Sequence, residues 1–184
     1  MNSNLPVGGH IVAIAALAAV LLAAFDARTA TATTGGFSSV PPPAAGPLAK
    51  ASINIDRRTA VAPAGAPEQV VKAIEAANRI TRKPYKWGGG HGVWRDSGYD
   101  CSGTVSYVLH AAGLLTRSRD STGLMSYGEP GAGDWITVYA HGSHAYMLIA
   151  GLRFDTSGRG EEGPRWRLEP RSAGGYVKRH PTGL

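Results

Sequence analysis

The sequence predicts an α+β protein in which two helices precede an antiparallel sheet. Apolar residues recur at helical spacing in two segments after residue 66. Five short apolar and aromatic runs follow these segments, and turn-forming Gly, Asp or Pro residues flank them. Helices followed by a series of consecutive strands are typical of a fold that packs helices against an antiparallel sheet.

Two helices open the predicted domain. The first begins near Pro67, which suits the first helical position, and ends before Pro84, while Glu68 favours its positive end. The second begins after the N-cap residue Asp100 and ends near Gly113. The predicted apolar stripes consist of Val70, Ala73, Ile74, Ala77 and Ile80 in the first helix, and of Val105, Val108, Leu109 and Ala112 in the second.

Five strands complete the predicted domain. They cover residues 135–140, 144–150, 152–156, 166–168 and 176–178. Between the two helices, residues 85–98 form a loop rich in glycine and aromatic residues. Its glycines lack the Lys-Ser or Lys-Thr pair of a phosphate-binding loop, so we expect them to allow close approach to a substrate backbone.

The amino-terminal part of the chain predicts export. The apolar run from Ile11 to Phe25 is shorter than the about 20 residues of a membrane span and matches the apolar region of a signal peptide. Residues 30–32, Ala-Thr-Ala, supply a small-residue cleavage site. We therefore assign a signal peptide or N-terminal membrane anchor to 1–32, a Pro/Ala/Thr-rich linker to 33–66 and a folded domain to 67–184. Either form of the first segment predicts a secreted or cell-envelope location.

Composition excludes several classes of function. The chain has 184 residues, a net charge of +6 and one cysteine. A single cysteine excludes an internal disulfide framework and a Cys-rich zinc site. The basic residues are scattered without an aromatic-basic motif, so we expect no nucleic-acid partner and a preference for an anionic cell surface.

The single cysteine, Cys101, is a candidate nucleophile. It follows Asp100 in the first turn of the second helix. A helix N-terminus stabilises a thiolate, the nucleophilic form, and its N–H groups can also hold an oxyanion. The alternative is a small buried hydrophobic residue, which is the commoner role of a free cysteine. An unpaired thiol invites oxidation in an exported protein, which favours the nucleophile.

A thiol nucleophile needs a base and a residue that orients the base. His144 is the best candidate base because it opens an otherwise apolar strand. If the turn at 150–151 has two residues, Ile149 faces Leu152, and Asp155 shares a sheet face with His144. An odd number of turn residues would place Thr156 on that face instead.

A zinc site at His141 and His144 is a weaker alternative. Their spacing alone is a weak metal signal. We expect a strand to direct the two side chains to opposite faces, and we predict no metal or other cofactor.

Four segments resemble the NlpC/P60 peptidases in order and spacing. They are PYKWGG at 84–89, DCSGTV at 100–105, GDW at 133–135 and HAYMLI at 144–149, and the resemblance covers residues 67–184. It implies a papain-like α+β fold with N-terminal helices packed on a central antiparallel sheet. It also implies an exported cysteine peptidase of bacterial cell-wall metabolism, which cuts peptidoglycan stem peptides, often between D-glutamate and a diamino acid.

The resemblance assigns roles to individual residues. Cys101 matches the nucleophile and His144 the base. Tyr85 matches a tyrosine that holds substrate or oxyanion, while Asp100 and Ser102 match positions that recognise the stem peptide. The third polar residue of the family is usually His, Asn or Gln, whereas the alignment here reaches Asp155, which is chemically suited to orient an imidazole.

Two other functions are compatible with the same residues. A non-catalytic cell-wall binding or scaffolding domain would keep the fold, and the acid at position 155 and the basic segment 165–179 favour it. A Cys-His amidase or acyltransferase would keep the mechanism and act on another target. That target would be the amide between sugar and peptide, or a lipid-linked acyl group.

Overall fold

The computed structural model describes residues 50–54, 58–158 and 163–184. These residues form a mixed structure of helices and antiparallel sheets, as the sequence predicts. In chain order the elements are β1 (Ser52–Ile53), β2 (Ala60–Val61), α1 (Glu68–Ile80), α2 (Cys101–Ala111), α3 (Ser121–Leu124), β3 (Glu129–Pro130), β4 (Ile136–His141), β5 (His144–Ile149), β6 (Leu152–Asp155), β7 (Arg165–Arg167) and β8 (Val177–His180).

The six-stranded sheet provides one side of the core. Its strand order is β3-β8-β4-β5-β6-β7, and each neighbouring pair is antiparallel. The buried apolar cluster joins the sheet to α1 and α2, with Val70, Val105, Leu109, Met147 and Phe154 all inaccessible to solvent. Burial of these side chains is the main force that fixes α2 against β5.

The two predicted helices are confirmed. Pro67 precedes α1, and the predicted stripe from Val70 to Ile80 is buried. The Asp100 carboxylate accepts a hydrogen bond from the Gly103 N–H and so caps α2. The cap fixes where α2 starts, and thereby the position of Cys101 in its first turn.

The hairpin between β5 and β6 has a two-residue turn. Ala150 and Gly151 have φ angles of 46° and 80°, a pair of positive values that suits the tightest hairpin turns. Ile149 therefore pairs with Leu152, and Met147 pairs with Phe154. This confirms the register that places His144 and Asp155 close together, and the alternative register with Thr156 is wrong.

Two elements within the predicted domain were not predicted. The polar loop after α2 contains the single-turn helix α3, capped by Asp120, and the two-residue strand β3 pairs with β8. Both are too short to show hydrophobic periodicity. Their stability depends on a cap and on a partner strand about fifty residues away along the chain.

Part of the predicted linker is folded. Strands β1 and β2 pair with each other, and Ala51 and Ala60 are buried in the core cluster. The Asn78 side chain binds both the N–H and the carbonyl of Ala60, and its Oδ1 also accepts from the Trp166 indole. Ordered structure therefore begins before Pro67, while residues 33–49 of the linker lie outside the described residues.

Residues 1–32, assigned to a signal peptide or anchor, also lie outside the described residues. Within the described ranges, no helix has the length and hydropathy needed to cross a membrane.

Candidate active site

The first turn of α2 presents Cys101 to a cleft. The residue is 9% exposed, and its thiol is free of any disulfide. Its N–H and that of Ser102 belong to the first turn, where amides lack partners within the helix. These donors and the positive end of α2 favour a negative charge at this position.

His144, the first residue of β5, contacts the thiol. Hydrogen bonding to its side chain and to the Ala145 backbone N–H stabilises the Cys101 thiolate and so lowers the pKa of the thiol. Burial raises the pKa of the Cys101 thiol, but these hydrogen bonds and the His144 charge outweigh burial, so the pKa is lowered. The surroundings therefore favour the thiolate.

Asp155, the last residue of β6, holds the other side of the imidazole. Its Oδ1 lies 2.9 Å from His144 Nε2 and also accepts from the N–H and the hydroxyl of Ser157 at 3.0 and 3.1 Å. The carboxylate has no exposed surface. Burial raises its pKa, but the His144 and Ser157 hydrogen bonds and the Arg171 charge produce a net lowering.

The charges of the three side chains are mutually dependent. Burial lowers the pKa of His144, but hydrogen bonds to Asp155 and Cys101 and the charges of both raise it to about 9. Because Nε2 faces Asp155, Nδ1 is the ring nitrogen left for the thiol. A thiolate paired with an imidazolium is consistent with all three shifts.

Two cavities meet at these residues. One, of about 460 Å³, is lined by Cys101, Asp100 and Ser102 together with Trp87. The other, of about 300 Å³, is lined by His144, Thr156, Ser157 and Gly158. Tyr85 lines both cavities and is 39% exposed. The two cavities therefore lie on either side of Tyr85, one beside the thiol and the other beside His144.

Asp100 and Ser102 line the cleft but are also bound within the protein. The Asp100 carboxylate accepts from the N–H groups of Gly88 and Gly103 and from the Ser102 hydroxyl. His91 Nε2 lies 3.1 Å from Asp100 and 3.2 Å from Ser102. His91, whose role the sequence left open, therefore lines the cleft and connects these two residues.

Gly89, Gly90 and Gly98 of the 85–98 loop make close contacts within the protein, whereas a Cβ at Gly88 or Gly92 would meet no atom within 4 Å. A Cβ atom at Gly89 would lie 2.4 Å from the Gly98 carbonyl oxygen, and one at Gly103 would lie 1.9 Å from the Gly89 oxygen. The expectation that these glycines admit a substrate backbone thus misses their main use at Gly89. They allow the loop to pack against α2 beside Cys101.

The expectation that a strand directs the side chains of His141 and His144 to opposite faces is wrong. They are not in one strand but face each other across the turn between β4 and β5, with ring centroids 6.4 Å apart. His141 Nδ1 accepts from the Ser143 N–H, and its ring packs on Tyr176. Among the described residues, no group of three or more His, Cys, Asp or Glu side chains is arranged to hold a metal.

Three further residues, which the sequence did not identify, surround the His144–Asp155 pair. Ser157 lies two positions after Asp155, and a serine at that distance from an aspartate is a recognisable local pattern. Arg171 and Tyr176 come from the segment between β7 and β8. Nothing local in the sequence indicates that this segment returns to Asp155.

Comparison with known proteins gives relatives over part of the chain. No family model matches. Over 95 residues, 48% of the chain, it is 33% identical to the probable peptidoglycan endopeptidase LytE of Bacillus subtilis, covering 27% of that protein. It is 34% identical, again over 95 residues, to the probable endopeptidase Rv2190c of Mycobacterium tuberculosis, covering 23%. The chain thus spans about a quarter of the length of these relatives.

Proposed function

We propose that the chain is an exported cysteine peptidase of the NlpC/P60 type that hydrolyses amide bonds in peptidoglycan stem peptides. The observation that carries the proposal is the placement of His144, which hydrogen-bonds the buried Asp155 and whose charge is coupled to the Cys101 thiol. The similarity to a probable peptidoglycan endopeptidase supports the substrate class.

The first half of the reaction forms an acyl-enzyme. The Cys101 thiolate attacks the scissile carbonyl carbon, and the carbonyl oxygen becomes an oxyanion. The N–H of Cys101 and the hydroxyl of Tyr85 stabilise this oxyanion. The protonated imidazole of His144 then donates its proton to the leaving amine, and the carbon–nitrogen bond breaks.

The second half releases the acyl group. Neutral His144 removes a proton from water, and the resulting hydroxide attacks the thioester carbonyl. The carbon–sulfur bond breaks, so the thiolate and the imidazolium return together with a carboxylic acid product. Asp155 keeps the imidazole oriented in both halves.

The cleft fits a peptide with charged and polar groups. Asp100 and Ser102 lie on the α2 side of the thiol, and Tyr85 lies between the two cavities. We assign these three residues to binding of the stem peptide. The bond between D-glutamate and the diamino acid is the proposed point of cleavage.

Defined muropeptides test the proposal. The purified protein and its Cys101→Ala variant are incubated with stem peptides of known sequence, and the products are identified by mass spectrometry. We expect cleavage by the wild type and none by the variant. Unchanged substrate with both proteins would contradict the peptidase, and equal cleavage by both would remove Cys101 from the mechanism.

Thiol labelling separates the enzyme from a cell-wall binding domain of the same fold. The rate of Cys101 alkylation by iodoacetamide is measured across pH. A thiol with a pKa well below the ordinary value of about 8.5 favours the enzyme. A slow or inaccessible thiol, together with binding of intact muropeptides, would favour the binding domain.

A further inference from the structure

The Asp155 carboxylate has a second contact that the three proposed catalytic residues do not use. Its Oδ1 faces His144, whereas its Oδ2 accepts a hydrogen bond from Arg171 Nη1 at 3.1 Å. The Asp155 side chain has no exposed surface, so its charge requires partners within the protein. Arg171 lies between β7 and β8 and reaches back to the end of β6.

Several contacts hold the Arg171 guanidinium in one orientation. It donates to the Ser157 hydroxyl, and its Nη2 donates to the Tyr176 hydroxyl at 2.9 Å. Its central carbon lies 5.4 Å from the Tyr146 ring centre and 5.6 Å from that of Tyr176. The Arg171 guanidinium thus fixes both the Asp155 carboxylate and Ser157, which hydrogen-bonds Asp155 Oδ1.

Other cations near Asp155 are less well placed to orient it. Arg153 Nε, on β6, lies 3.6 Å from Asp155 Oδ2 and has no hydrogen-bond partner within the described residues. Arg167, on β7, acts on Asp155 through its charge. Arg165, on β7, is paired with Asp155 in the strand register, but its Nη1 donates to backbone carbonyl groups. His144, on β5, faces Oδ1, and its charge changes during the proposed reaction. Among the described residues, Arg171 alone combines a permanent charge with a directional hydrogen bond to Oδ2.

We propose that Arg171 is a positioning residue that keeps Asp155 ionised and oriented while His144 gains and loses its proton. The inference rests on the proposed function. When His144 passes its proton to the leaving amine, the buried carboxylate loses its cationic partner on Oδ1. Arg171 remains charged on Oδ2, so Asp155 stays an acceptor that can orient the neutral ring and then stabilise the imidazolium again.

Alkylation of Cys101 across pH tests this role without any cell-wall substrate. The wild type is compared with Arg171→Met and Arg171→Lys. Without the guanidinium charge, the Asp155 carboxylate is protonated at higher pH. A protonated Asp155 no longer stabilises the His144 imidazolium, which in turn stabilises the thiolate. We therefore expect Arg171→Met to shift the acid limb of the profile upward by about one pH unit. Arg171→Lys restores the charge but not the forked contacts, so it should recover part of the shift.

Arg82→Met is the matched control. Arg82 is an exposed arginine directly after α1, so this variant removes a cation of the same type without touching the site. Its profile should coincide with that of the wild type. Coincidence of Arg171→Met with the wild type and Arg82→Met would overturn the proposal, even if Arg171→Met were less active.

Cleavage kinetics provide a second readout. We expect Arg171→Met to lower kcat on a muropeptide about tenfold, with little change in KM, because Arg171 acts on the base and not on the bound peptide. If no muropeptide is cleaved by the wild type, the proposed substrate fails, while the alkylation profiles still decide the role of Arg171.

A variant that does not fold would leave the first comparison unusable. In that case Tyr176→Phe, which removes only the acceptor of Arg171 Nη2, takes its place. It should shift the profile in the same direction by a smaller amount. An unshifted profile in both Tyr176→Phe and Arg171→Lys would overturn the proposal.

Discussion

Two aspartates of the site have closely similar local surroundings. Asp100, before α2, and Asp155, at the end of β6, each begin an Asp-x-Ser-Gly sequence. The Oδ1 atom of each accepts from a backbone N–H close behind it in the chain. Each Oδ1 also accepts from the hydroxyl two residues later, Ser102 at 3.2 Å and Ser157 at 3.1 Å. This local pattern alone therefore does not determine which acid supports a base.

Each aspartate also binds a histidine through Nε2. His91 lies 3.1 Å from Asp100, and His144 lies 2.9 Å from Asp155. The ring of His91 also hydrogen-bonds the Ser102 hydroxyl, whereas the ring of His144 also interacts with the Cys101 thiol. His144 therefore faces a thiol with a lowered pKa, whereas His91 faces a hydroxyl that also donates to Asp100.

The second carboxylate oxygen separates the two acids most clearly. Asp100 Oδ2 accepts from the Gly88 N–H at 3.0 Å, a neutral donor. Asp155 Oδ2 faces the guanidinium groups of Arg171 and Arg153. Neutral donors at Asp100 fix the shape of a loop and a helix start, while cations at Asp155 fix a charge.

Replacing each acid by its amide should produce the largest contrast between the two regions. Asp155→Asn keeps the shape but removes the charge that stabilises imidazolium at His144. We expect cleavage of a muropeptide to fall about 10³-fold or more. The alkylation rate of Cys101 near pH 6 should fall as well, because the thiolate loses its cationic partner. Steady-state kinetics and iodoacetamide labelling measure the two effects.

Asp100→Asn is the matched variant. Its remaining carbonyl oxygen can still cap α2, but its amide group faces the Gly88 N–H, which then loses its acceptor. We expect a stability loss of about 1–2 kcal/mol in urea unfolding. Because the Asp100 charge raises the pKa of the Cys101 thiol, the alkylation profile should shift slightly to lower pH, opposite to the shift at Asp155→Asn. A shift to higher pH at Asp100→Asn, as at Asp155→Asn, would show that the two acids do not differ as argued.

A methyl group at Gly103 should break the shape of the Asp100 region. The added Cβ would lie 1.9 Å from the Gly89 carbonyl oxygen, which belongs to backbone and cannot move aside without displacing the loop. We expect Gly103→Ala to lower the free energy of unfolding by about 2–3 kcal/mol. Urea denaturation followed by circular dichroism measures the change.

Gly142→Ala is the control for this substitution. A Cβ there meets no atom within 4 Å, and the backbone does not require a positive φ. Its stability should stay within about 0.5 kcal/mol of the wild type. An equally small change at Gly103→Ala would contradict the close packing of the loop on α2.

Local signals in the sequence were sufficient for much of the fold and for the contact between base and acid. Apolar spacing and the cap at Asp100 defined α1 and α2. A two-residue turn between two strands determined which residues share a face, so His144 and Asp155 could be paired before the structure was known. These features depend on neighbours within about a dozen residues.

Contacts between distant segments could not be predicted in the same way. Arg171 reaches Asp155 from sixteen residues away, with β7 lying between them in the chain. Strand β2 is fixed by Asn78, eighteen residues later, in a segment whose composition resembles a linker. In both cases the partner is selected by packing, and the local sequence carries no periodic trace of it.

The pH dependence of activity should follow the group around Asp155 and His144 and not the group around Asp100 and His91. The pKa of His144 is raised to about 9, so the imidazolium persists through neutral pH and is lost above about pH 9. Because the leaving amine needs that proton, kcat on a muropeptide should fall about tenfold per pH unit in that range. His91→Gln should keep the same alkaline limb. A limb near pH 6.5 in the wild type would contradict the raised pKa.

The raised pKa of His144 also makes the stability of the protein depend on pH. The folded pKa of His144 lies above its ordinary value of about 6.5. Its stabilising contribution is therefore complete below about pH 6.5 and is lost as pH rises through about 9. We expect the difference in Tm between wild type and His144→Gln to be several degrees near pH 6 and to shrink by pH 10. A difference that grows with pH would contradict the sign.

The smallest expected effect distinguishes the two serine hydroxyls. Ser157→Ala removes one donor to Asp155 Oδ1 and one acceptor of Arg171, but the Ser157 N–H still binds the carboxylate at 3.0 Å. We expect kcat to fall only about three- to tenfold, with KM nearly constant, because a single hydrogen bond contributes about 1 kcal/mol. Ser102→Ala removes a donor to Asp100 on the wall of the cleft, so we expect it to raise KM and to leave the alkylation profile in place. Measuring kcat and KM for both variants decides the point. If Ser102→Ala changed kcat and the thiol profile as Ser157→Ala does, the hydroxyl beside Asp100 would also govern charge, and the division between a region of shape and a region of charge would be wrong.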